Sequence, residues 1–228
     1  GAFAVGDEVE VVPAGLSARI RGLQTHRQKR ERAEPGGRLA INLSGVEVGQ
    51  LRRGQVVARP GTLAPTRLID VSLDLQRAPG AASEGRFAHN TEVKIFAGAA
   101  ESVARVRLLE GGSLAAGEAA FAQLELSEPM AVAAGDRFIV RLPSPSITVG
   151  GGRIVDPHPA GRHRRRAGKA DTATLSHLRA LLEGTPRERL ENALLALGFC
   201  ARPALAKAAD IPAFEAELAG LIADGGAI

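Results

Sequence analysis

Residues 135–159 read GDRFIVRLPSPSITVGGGRIVDPHP and carry the two patterns that decide the fold class. Phe138, Val140 and Leu142 recur at every second position, which is the period of a strand with one buried face. The three glycines at 150–152 allow a strand to bend sharply or to lie very close to another backbone. The stretch is therefore typical of an antiparallel barrel or sandwich.

The same alternation extends from this stretch back towards the start of the chain. Short runs of it, separated by Gly, Pro and Asp, occupy residues 8–11, 19–23, 39–43, 71–75, 93–95, 104–108 and 120–126. Residues 59–65, RPGTLAP, interrupt the series with two prolines, which cannot donate hydrogen bonds to a ladder. We therefore predict a mostly β fold with two small antiparallel β-barrels, over residues 1–64 and 65–159, the first truncated at its N-terminal side.

Residues 160–170 are rich in basic side chains and separate the β region from a helical region. The basic residues are Arg162, Arg164, Arg165, Arg166 and Lys169. Such a run is typical of a solvated, flexible linker, and contact with phosphate groups is the alternative that composition leaves open. His158 and His163 lie among Pro and Arg, which indicates a basic linker more than a metal site.

In residues 171–228 the period changes to that of amphipathic helices. The apolar positions predicted to face inward are Leu175, Leu178, Leu181, Leu182, Leu190, Ala193, Leu194, Leu197, Phe214, Leu218, Leu221 and Ile222. Thr185, Pro186 and Glu188 form a capping box with proline at the first helical position. Short helices also follow Pro203 and Pro212. This succession predicts a winged-helix-like module that is truncated at its C-terminal side.

Composition sets broad limits on what the chain does. Lys and Arg exceed Asp and Glu by 29 − 25 = 4, which permits an anionic partner without demanding one. A single cysteine, Cys200, excludes an internal disulfide framework, and its apolar neighbours predict a buried side chain. The chain shows no signal peptide and no apolar window of the ~18 residues that a membrane span needs. A cytoplasmic protein without membrane contact is therefore expected.

No enzyme signature stands out along the chain. The glycines at 150–152 lack the Lys-Ser/Thr pair and the helix that follow a phosphate-binding loop. The histidines are scattered without the spacing of metal ligands. We therefore predict no catalytic residue, no metal site and no cofactor in this chain.

Several segments resemble domains of the translational GTPases related to EF-Tu. Residues 5–9 (VGDEV), 36–46 (GGRLAINLSGV) and 51–61 (LRRGQVVARPG) are similar to their second domain, and residues 135–141 to a strand of their third. Residues 21–26 (RGLQTH) and 144–159 (SPSITVGGGRIVDPHP) narrow the resemblance to the selenocysteine-specific elongation factors, SelB. The resemblance covers residues 5–159 well and residues 160–228 loosely.

This resemblance implies a role in protein synthesis. The family uses GTP to deliver selenocysteinyl-tRNA to a ribosome paused at a recoded UGA codon. GTP and Mg²⁺ are expected in an N-terminal domain that this chain lacks. An mRNA hairpin is expected to bind modules beyond its C-terminal end, and the protein is expected to be a monomer.

The same resemblance implies two sets of tRNA-contacting residues. The set facing the aminoacyl end is His26, Arg38 and Asn42, and the set facing the acceptor and T stems is His89, Asn90, Thr91, Arg137, Arg141 and Thr148. Ordinary roles stay open for several of them: a turn cap for Asn42, a solvated loop for His26 and exposed barrel charges for the two arginines. Residues 28–32 (QKRER) depart from the family pattern by being more charged.

A different class of function is also compatible with the sequence. The chain would then be a non-catalytic β-barrel adaptor fused to a helical protein-interaction module. In that case the basic linker only keeps the protein in solution.

Overall fold

The computed structural model describes residues 2–76, 86–209, 211 and 213–225, without the side chains of residues 196 and 207. Its fold is mostly β, as the sequence predicts, and has three parts in chain order: a small open sheet, a closed barrel and a group of helices. The predicted series of strands and the later change to helices are both confirmed. The second predicted barrel is closed, whereas the described strands of the first form an open sheet and a ribbon.

The first part is an antiparallel sheet with a two-stranded ribbon beside it. Its strands are β1 (Phe3–Ala4), β2 (Glu8–Val12), β3 (Leu16–Thr25), β4 (Gln28–Arg30), β5 (Arg32–Ala33), β6 (Ala40–Ser44) and β7 (Val56–Ala58), and a 3-10 helix spans Val48–Gln50. The sheet has the order β4-β3-β2-β7, β6 also pairs with β3, and β1 pairs with β5. Val9, Ile20 and Leu23 lie at the centre of its core.

The second part is a closed antiparallel barrel. The strands of this part are β8 (Pro65–Leu75), β9 (Phe87–Ala88), β10 (Thr91–Ala97), β11 (Ala100–Leu108), β12 (Ser113–Leu114), β13 (Ala119–Ala131), β14 (Arg137–Arg141) and β15 (Thr148–Asp156). The order around the barrel is β10-β11-β13-β8-β15-β14, and β9 pairs with β12 outside it. Alternate residues of each strand point inward and fill the interior with aliphatic side chains, alongside Phe138.

The glycines at 150–152 are where β15 lies closest to its neighbours. A Cβ atom built on Gly152 would overlap the carbonyl oxygen of Ser72 on β8, and one built on Gly151 would lie 2.5 Å from that of Phe138 on β14. No side chain fits so close to a backbone, so the predicted close approach is confirmed. These glycines allow β15 to close the barrel between β8 and β14.

The open sheet rests on the barrel at the turn that precedes β7. Gly54 has a φ of 94°, and a Cβ atom built on it would lie 2.9 Å from the Cα atom of Ala100. Beside this contact lies a cleft of about 730 Å³, whose lining includes Phe3 and Leu39 from the sheet and Arg137 from the barrel. Arg137 therefore lies at the junction of the first two parts.

The third part begins with a β-hairpin and continues as helices. Its elements are β16 (Arg165–Arg166), β17 (Lys169–Ala170), α1 (Thr172–Glu183), α2 (Pro186–Leu197), α3 (Arg202–Ala209) and α4 (Phe214–Ala223). Leu178 of α1 is buried against Leu109, Phe121 and Val155 on the outside of the barrel. The later helices share a separate cluster, whose buried members are Leu190, Ala193, Leu205, Ala209, Leu218 and Leu221. The packing therefore groups α1 with the barrel, whereas the sequence pattern groups it with the helices that follow.

The predicted helix ends have the expected hydrogen bonds. Asp171 caps α1, because its Oδ1 accepts from the backbone N of Thr174 at 2.7 Å. Thr185 and Glu188 form the reciprocal capping box predicted for α2. Within the part of the chain that the structure describes, no helix is long and apolar enough to cross a membrane.

Three predictions of burial in the helical part are wrong. Leu197 and Ile222 are exposed, and Cys200 is an exposed free thiol. Leu197 is the last residue of α2, and Ile222 follows the buried Leu221 on α4, so it points to a different side of that helix. Cys200 follows Gly198, whose φ of 61° turns the chain out of the helix. A winged-helix identity stays a prediction, since the described residues after 170 contain helices alone.

Candidate nucleic-acid interface

A group of cations crosses the outer face of strands β10, β14 and β15. The register places Lys94 opposite Arg141 and Arg137 opposite Arg153. Because alternate residues of a strand face opposite sides, Phe138 fills the core while Arg137 and Arg141 point outward. These four cations, Lys94, Arg137, Arg141 and Arg153, are called the barrel strip below.

The barrel strip places like charges next to each other, and an anion would relieve their repulsion. Two cations directly opposite each other on antiparallel strands destabilise a sheet. Lys94 is neutralised in part, since its Nζ donates to Oε1 of Glu101 at 2.8 Å. Arg137 and Arg153 are exposed and form no ion pair with any residue that the structure describes. The exposed Ile139 lies on the same face and adds a small apolar contact.

Arg141 is held by the turn between its own strand and the next. Its Nη2 donates to the backbone oxygen of Ser146 at 2.9 Å. A register shift after Val140 places Thr148 opposite Arg141. The structure therefore brings Arg141 and Thr148 side by side, and Arg137 lies four residues, or about 13 Å, farther along β14.

Residues 89–91, also predicted to contact the stems, form the turn that leads into β10. Asn90 is exposed and has a φ of 68°, a conformation that Asn tolerates better than most residues. Thr91 Oγ1 donates to the backbone oxygen of Ala88 at 2.8 Å, which fixes the turn. The turn precedes Lys94 by a few residues, so it lies near the end of the barrel strip that contains Arg141.

His89 is engaged inside the protein rather than free to meet a ligand. Its Nε2 lies 2.7 Å from Nη1 of Arg165, on the hairpin that follows the barrel. Burial of the ring, together with the positive charges of Arg165 and Arg107, lowers the pKa of His89 below its ordinary 6.5. The ring is therefore neutral near pH 7 and accepts a hydrogen bond from Arg165.

The three residues predicted for the aminoacyl end occupy two shallow recesses of the open sheet. His26 and Arg38 line one of about 370 Å³, and Asn42 lines its neighbour of about 510 Å³. His26 is a turn residue: it and Arg27 have positive φ angles of 50° and 65°, as the two-residue turn of the β3–β4 hairpin requires. Asn42 is exposed on β6, opposite Gly22 of β3.

A second polar group, which sequence reasoning missed, crosses the outside of β11, β13 and β8. The register places Arg107 opposite Gln123, and Gln123 opposite Asp70. Asp70 and Gln123 are completely buried. Their outward positions in the alternating pattern are typical of solvent-facing residues, and nothing local indicates that another segment covers them.

The covering segment is the basic stretch that follows the barrel. Gln123 Nε2 donates to Asp70 Oδ1 at 2.9 Å and to the backbone oxygen of Gly161 at 3.1 Å. Gln123 Oε1 accepts from Arg107 Nη1 at 3.0 Å and from the backbone N of His163 at 3.2 Å. His163 Nε2 lies 2.6 Å from Asp70 Oδ2. We call Asp70, Arg107, Gln123 and His163 the latch.

The latch changes how residues 160–170 are interpreted. The solvated, flexible linker that composition favours is not what forms, because this segment satisfies polar groups that would otherwise be buried without partners. Arg162 adds an ion pair with Glu125 at 2.8 Å. Between the barrel and the helices, this segment is a strap docked on the barrel.

The latch predicts a dependence of stability on pH. The hydrogen bond to Asp70 raises the pKa of His163 above 6.5, nearby carboxylates of Asp156 and Asp171 add to this, and burial opposes it. A raised folded-state pKa gives stability that is fully present below about pH 6.5 and is lost as pH rises through the raised value. His163→Gln should therefore lower the free energy of unfolding more at pH 6 than at pH 9, as measured by urea denaturation. Equal losses at both pH values would contradict a charged His163.

Metal ligands do not gather anywhere in the described ranges, where no three side chains of His, Cys, Asp or Glu could together hold a metal ion. His158 and His163, the two histidines that follow the barrel, have different hydrogen-bond partners. The backbone N of His158 donates to Asp156 Oδ1 at 2.7 Å, whereas His163 belongs to the latch.

Two family descriptions match successive parts of the chain. Residues 76–161 match "Selenocysteine-specific elongation factor, beta-barrel domain", and residues 1–58 match "Elongation factor Tu domain 2". The first match covers most of the closed barrel and includes the barrel strip. The second covers the open sheet and the two recesses.

Individual relatives agree with these matches. The chain is 42% identical over 180 residues to the selenocysteine-specific elongation factor of Desulfomicrobium baculatum. The aligned stretch covers 79% of this chain and 27% of that protein. It is 27% identical over 166 residues to the selenocysteine-specific elongation factor of Haemophilus influenzae, or 72% of this chain and 25% of that protein. Elongation factor 1-alpha of Metallosphaera sedula is 40% identical over 67 residues, or 28% of this chain and 15% of that protein. The chain thus spans about a quarter of the selenocysteine-specific relatives.

Proposed function

Because the chain is a segment of a selenocysteine-specific, SelB-type translation factor, we propose that it is the part that grips selenocysteinyl-tRNA. The observation that carries this proposal is the barrel strip, which places four cations on one outer face of the barrel. RNA backbones are bound mainly through their phosphates, by Arg and Lys side chains held on a rigid surface. A strip with two like-charged pairs fits such a row of phosphates.

Within this proposal the barrel binds the acceptor and T stems. Arg137 and Arg141 contact phosphates directly, and Thr148 and Asn90 supply neutral hydrogen-bonding groups beside Arg141. His89 does not contact the RNA; its hydrogen bond with Arg165 fixes the turn at residues 89–91 against the hairpin that follows the barrel. Thr91 fixes the turn that presents Asn90.

The open sheet binds the aminoacyl end in the same proposal. A selenol is largely ionised at neutral pH, so it favours a recess with cations and hydrogen-bond donors. His26 and Arg38 share one such recess, and Asn42 lines the recess beside it. Both recesses are open, which suits a group that must be released on the ribosome.

The parent protein, in this proposal, is a cytoplasmic monomer that delivers the tRNA to the ribosome at recoded UGA codons. GTP and Mg²⁺ bind a domain outside this chain, and the mRNA hairpin binds other modules outside it. The residues described here hold and orient the tRNA and take no part in hydrolysis.

Charge reversal in the barrel strip tests the proposal. Arg137→Glu/Arg141→Glu should weaken binding of a selenocysteine tRNA transcript about tenfold or more, and should reduce the slope of log affinity against log salt by about 1.5. Fluorescence anisotropy with labelled tRNA at several salt concentrations measures both quantities.

A matched control separates local contact from net charge. Arg67 on β8 and Arg202 on α3 are exposed arginines away from the strip, and each has a carboxylate partner. Arg67→Glu/Arg202→Glu changes the net charge equally and should leave the slope nearly unchanged. The proposal fails if the unsubstituted chain binds no tRNA, or if both double variants lose the same slope.

One observation favours the adaptor as a second candidate function. Leu195 and Leu197 of α2 and Phe199 just after it are exposed apolar side chains close in sequence, and such side chains are more typical of protein contact than of RNA contact. A chain that binds no tRNA at low salt would support this reading.

A further inference from the structure

The hairpin of β16 and β17 has two chemically different faces. Arg165 pairs with Ala170 and Arg166 pairs with Lys169 in its register. Arg165 and Ala170 face the barrel, where Ala170 is buried. By strand alternation, Arg166 and Lys169 point away from the barrel, and Arg164, two residues before Arg166, shares their side. Arg164, Arg166 and Lys169 are called the hairpin face below.

The backbone that presents the hairpin face is fixed on the barrel. Arg165 Nη2 donates to the backbone oxygen of Gly111 at 2.6 Å and also bonds to that of Gly168. The backbone N of Ala170 donates to the oxygen of Leu109 at 2.8 Å. On the N-terminal side, the latch holds His163. The hairpin face is therefore a preorganised surface, which loses little conformational entropy when it binds a partner.

The three cations of the hairpin face have no carboxylate partner among the residues that the structure describes. The acidic side chains nearby are occupied elsewhere. Glu110 lies opposite Lys169 in an isolated bridge, but its carboxylate pairs with Arg179 on α1 and accepts from the backbone N of Phe121. Glu125 pairs with Arg107 and Arg162, and Asp171 caps α1. Arg166 and Lys169 are directly opposite each other, an arrangement that destabilises a sheet unless an anion bridges the pair.

The hairpin face lies next to the surface already assigned to RNA. Arg165, behind the face, contacts His89 at 2.7 Å, and His89 begins the turn that leads to Asn90 and Thr91. That turn leads into β10, which contains Lys94 of the barrel strip. The hairpin face, the turn at residues 89–91 and the barrel strip therefore follow one another along one side of the protein.

We propose that the hairpin face binds backbone phosphates of the same tRNA, beyond the stretch held by the barrel strip. This inference rests on the proposed function and extends it to a second group of cations on a different element. Arg164 and Arg166 offer planar guanidinium groups that can bind phosphate oxygens in pairs, and Lys169 supplies a third charge. Contacts of this kind position the RNA without reading its sequence.

The test is a triple substitution in the 228-residue chain. Arg164→Gln/Arg166→Gln/Lys169→Gln should weaken binding of a selenocysteine tRNA transcript about tenfold or more. It should also reduce the slope of log affinity against log salt by about 2 to 2.7, since each lost phosphate contact removes roughly 0.7–0.9. Anisotropy titrations at four or more salt concentrations give the slope.

Two further variants keep the result interpretable. Arg19→Gln/Arg67→Gln/Arg202→Gln removes three exposed arginines away from the hairpin face, each of which has its own carboxylate partner, and should keep the original slope. Arg164→Lys/Arg166→Lys keeps the charge of the hairpin face and should keep most of the slope, which shows that charge and not local folding is measured. Circular dichroism and the urea midpoint of each variant verify that the latch and barrel are intact.

Each outcome is decisive. If the unsubstituted chain binds tRNA and Arg137→Glu/Arg141→Glu impairs it, but the triple substitution leaves the slope unchanged, the hairpin face is not a phosphate site and the proposed function stands. If the two triple variants lose equal slope, the effect is one of net charge and the inference fails. If the unsubstituted chain binds no tRNA, the proposed function itself fails.

Discussion

Gly152→Ala is expected to lower the free energy of unfolding of the barrel by about 3 kcal/mol or more. The added methyl group would overlap the carbonyl oxygen of Ser72, which belongs to the backbone of β8 and cannot rotate away. Relief requires β15 to separate from β8, and that opens the barrel. Small domains have only about 5–15 kcal/mol of stability, so the loss is a large share of the total.

Far-UV circular dichroism during urea denaturation is the suitable measurement, because the chain has no Trp or Tyr whose fluorescence would report unfolding. Gly112→Ala is the matched control: a Cβ atom on Gly112 meets no atom within 4 Å. Its midpoint should stay close to that of the unsubstituted chain. A Gly152→Ala midpoint equally close would mean that β15 does not approach β8 as described.

Asp70→Ala should cost about 3 kcal/mol of unfolding free energy and should release the strap over the barrel. Asp70 is completely buried, and its two carboxylate oxygens bind Gln123 and His163. Its loss leaves a buried amide donor and a histidine ring without their acceptor. Amide hydrogen exchange of residues 160–170 should therefore become much faster, in addition to the shift of the urea midpoint.

Asp74→Ala is the control for this change, since Asp74 lies on the same strand and is exposed. Its effect should stay within roughly 0.5 kcal/mol. The double variant Asp70→Ala/His163→Ala should lose less than the sum of the two single variants, because the partners are removed together. Additive losses, or unchanged exchange in residues 160–170, would show that Asp70 does not hold the strap.

The parts of the fold that could be predicted are those set by neighbours in sequence. Alternating residues mark the strands, leucine spacing marks the helices, and the box at Thr185 and Glu188 marks where α2 begins. The three glycines at 150–152 predicted that another backbone lies close to this strand, because a residue without a side chain leaves room for such an approach. Each of these signals lies within a few residues of the feature that it specifies.

The latch could not be predicted, because its partners are far apart in the chain. Asp70 and His163 are 93 positions apart, and Arg107 and the backbone oxygen of His163 are 56 apart. A polar residue on the outward side of a strand has the same local pattern whether water or another segment covers it. Only the path of the chain after the barrel distinguishes these two environments.

The candidate interface was predictable in part. The family resemblance led to Arg137 and Arg141, and strand alternation placed them on one face. Arg153 and Lys94 were missed because they lie on neighbouring strands. Which of their residues lie opposite Arg137 and Arg141 depends on how β14 pairs with β15 and β10. His89 belongs to the predicted set, yet its ring is engaged with Arg165, an interaction that no local pattern indicates.

The closed barrel and the open sheet differ in how they avoid unwanted association with other chains. In the closed barrel each of the six described strands pairs with a neighbour on both sides, so their backbone groups are not free for another strand to join. The open sheet has such an edge at β4, whose one partner among the described strands is β3. That edge is three residues long and reads Gln-Lys-Arg, all exposed. The charge of this edge thus discourages edge-to-edge aggregation.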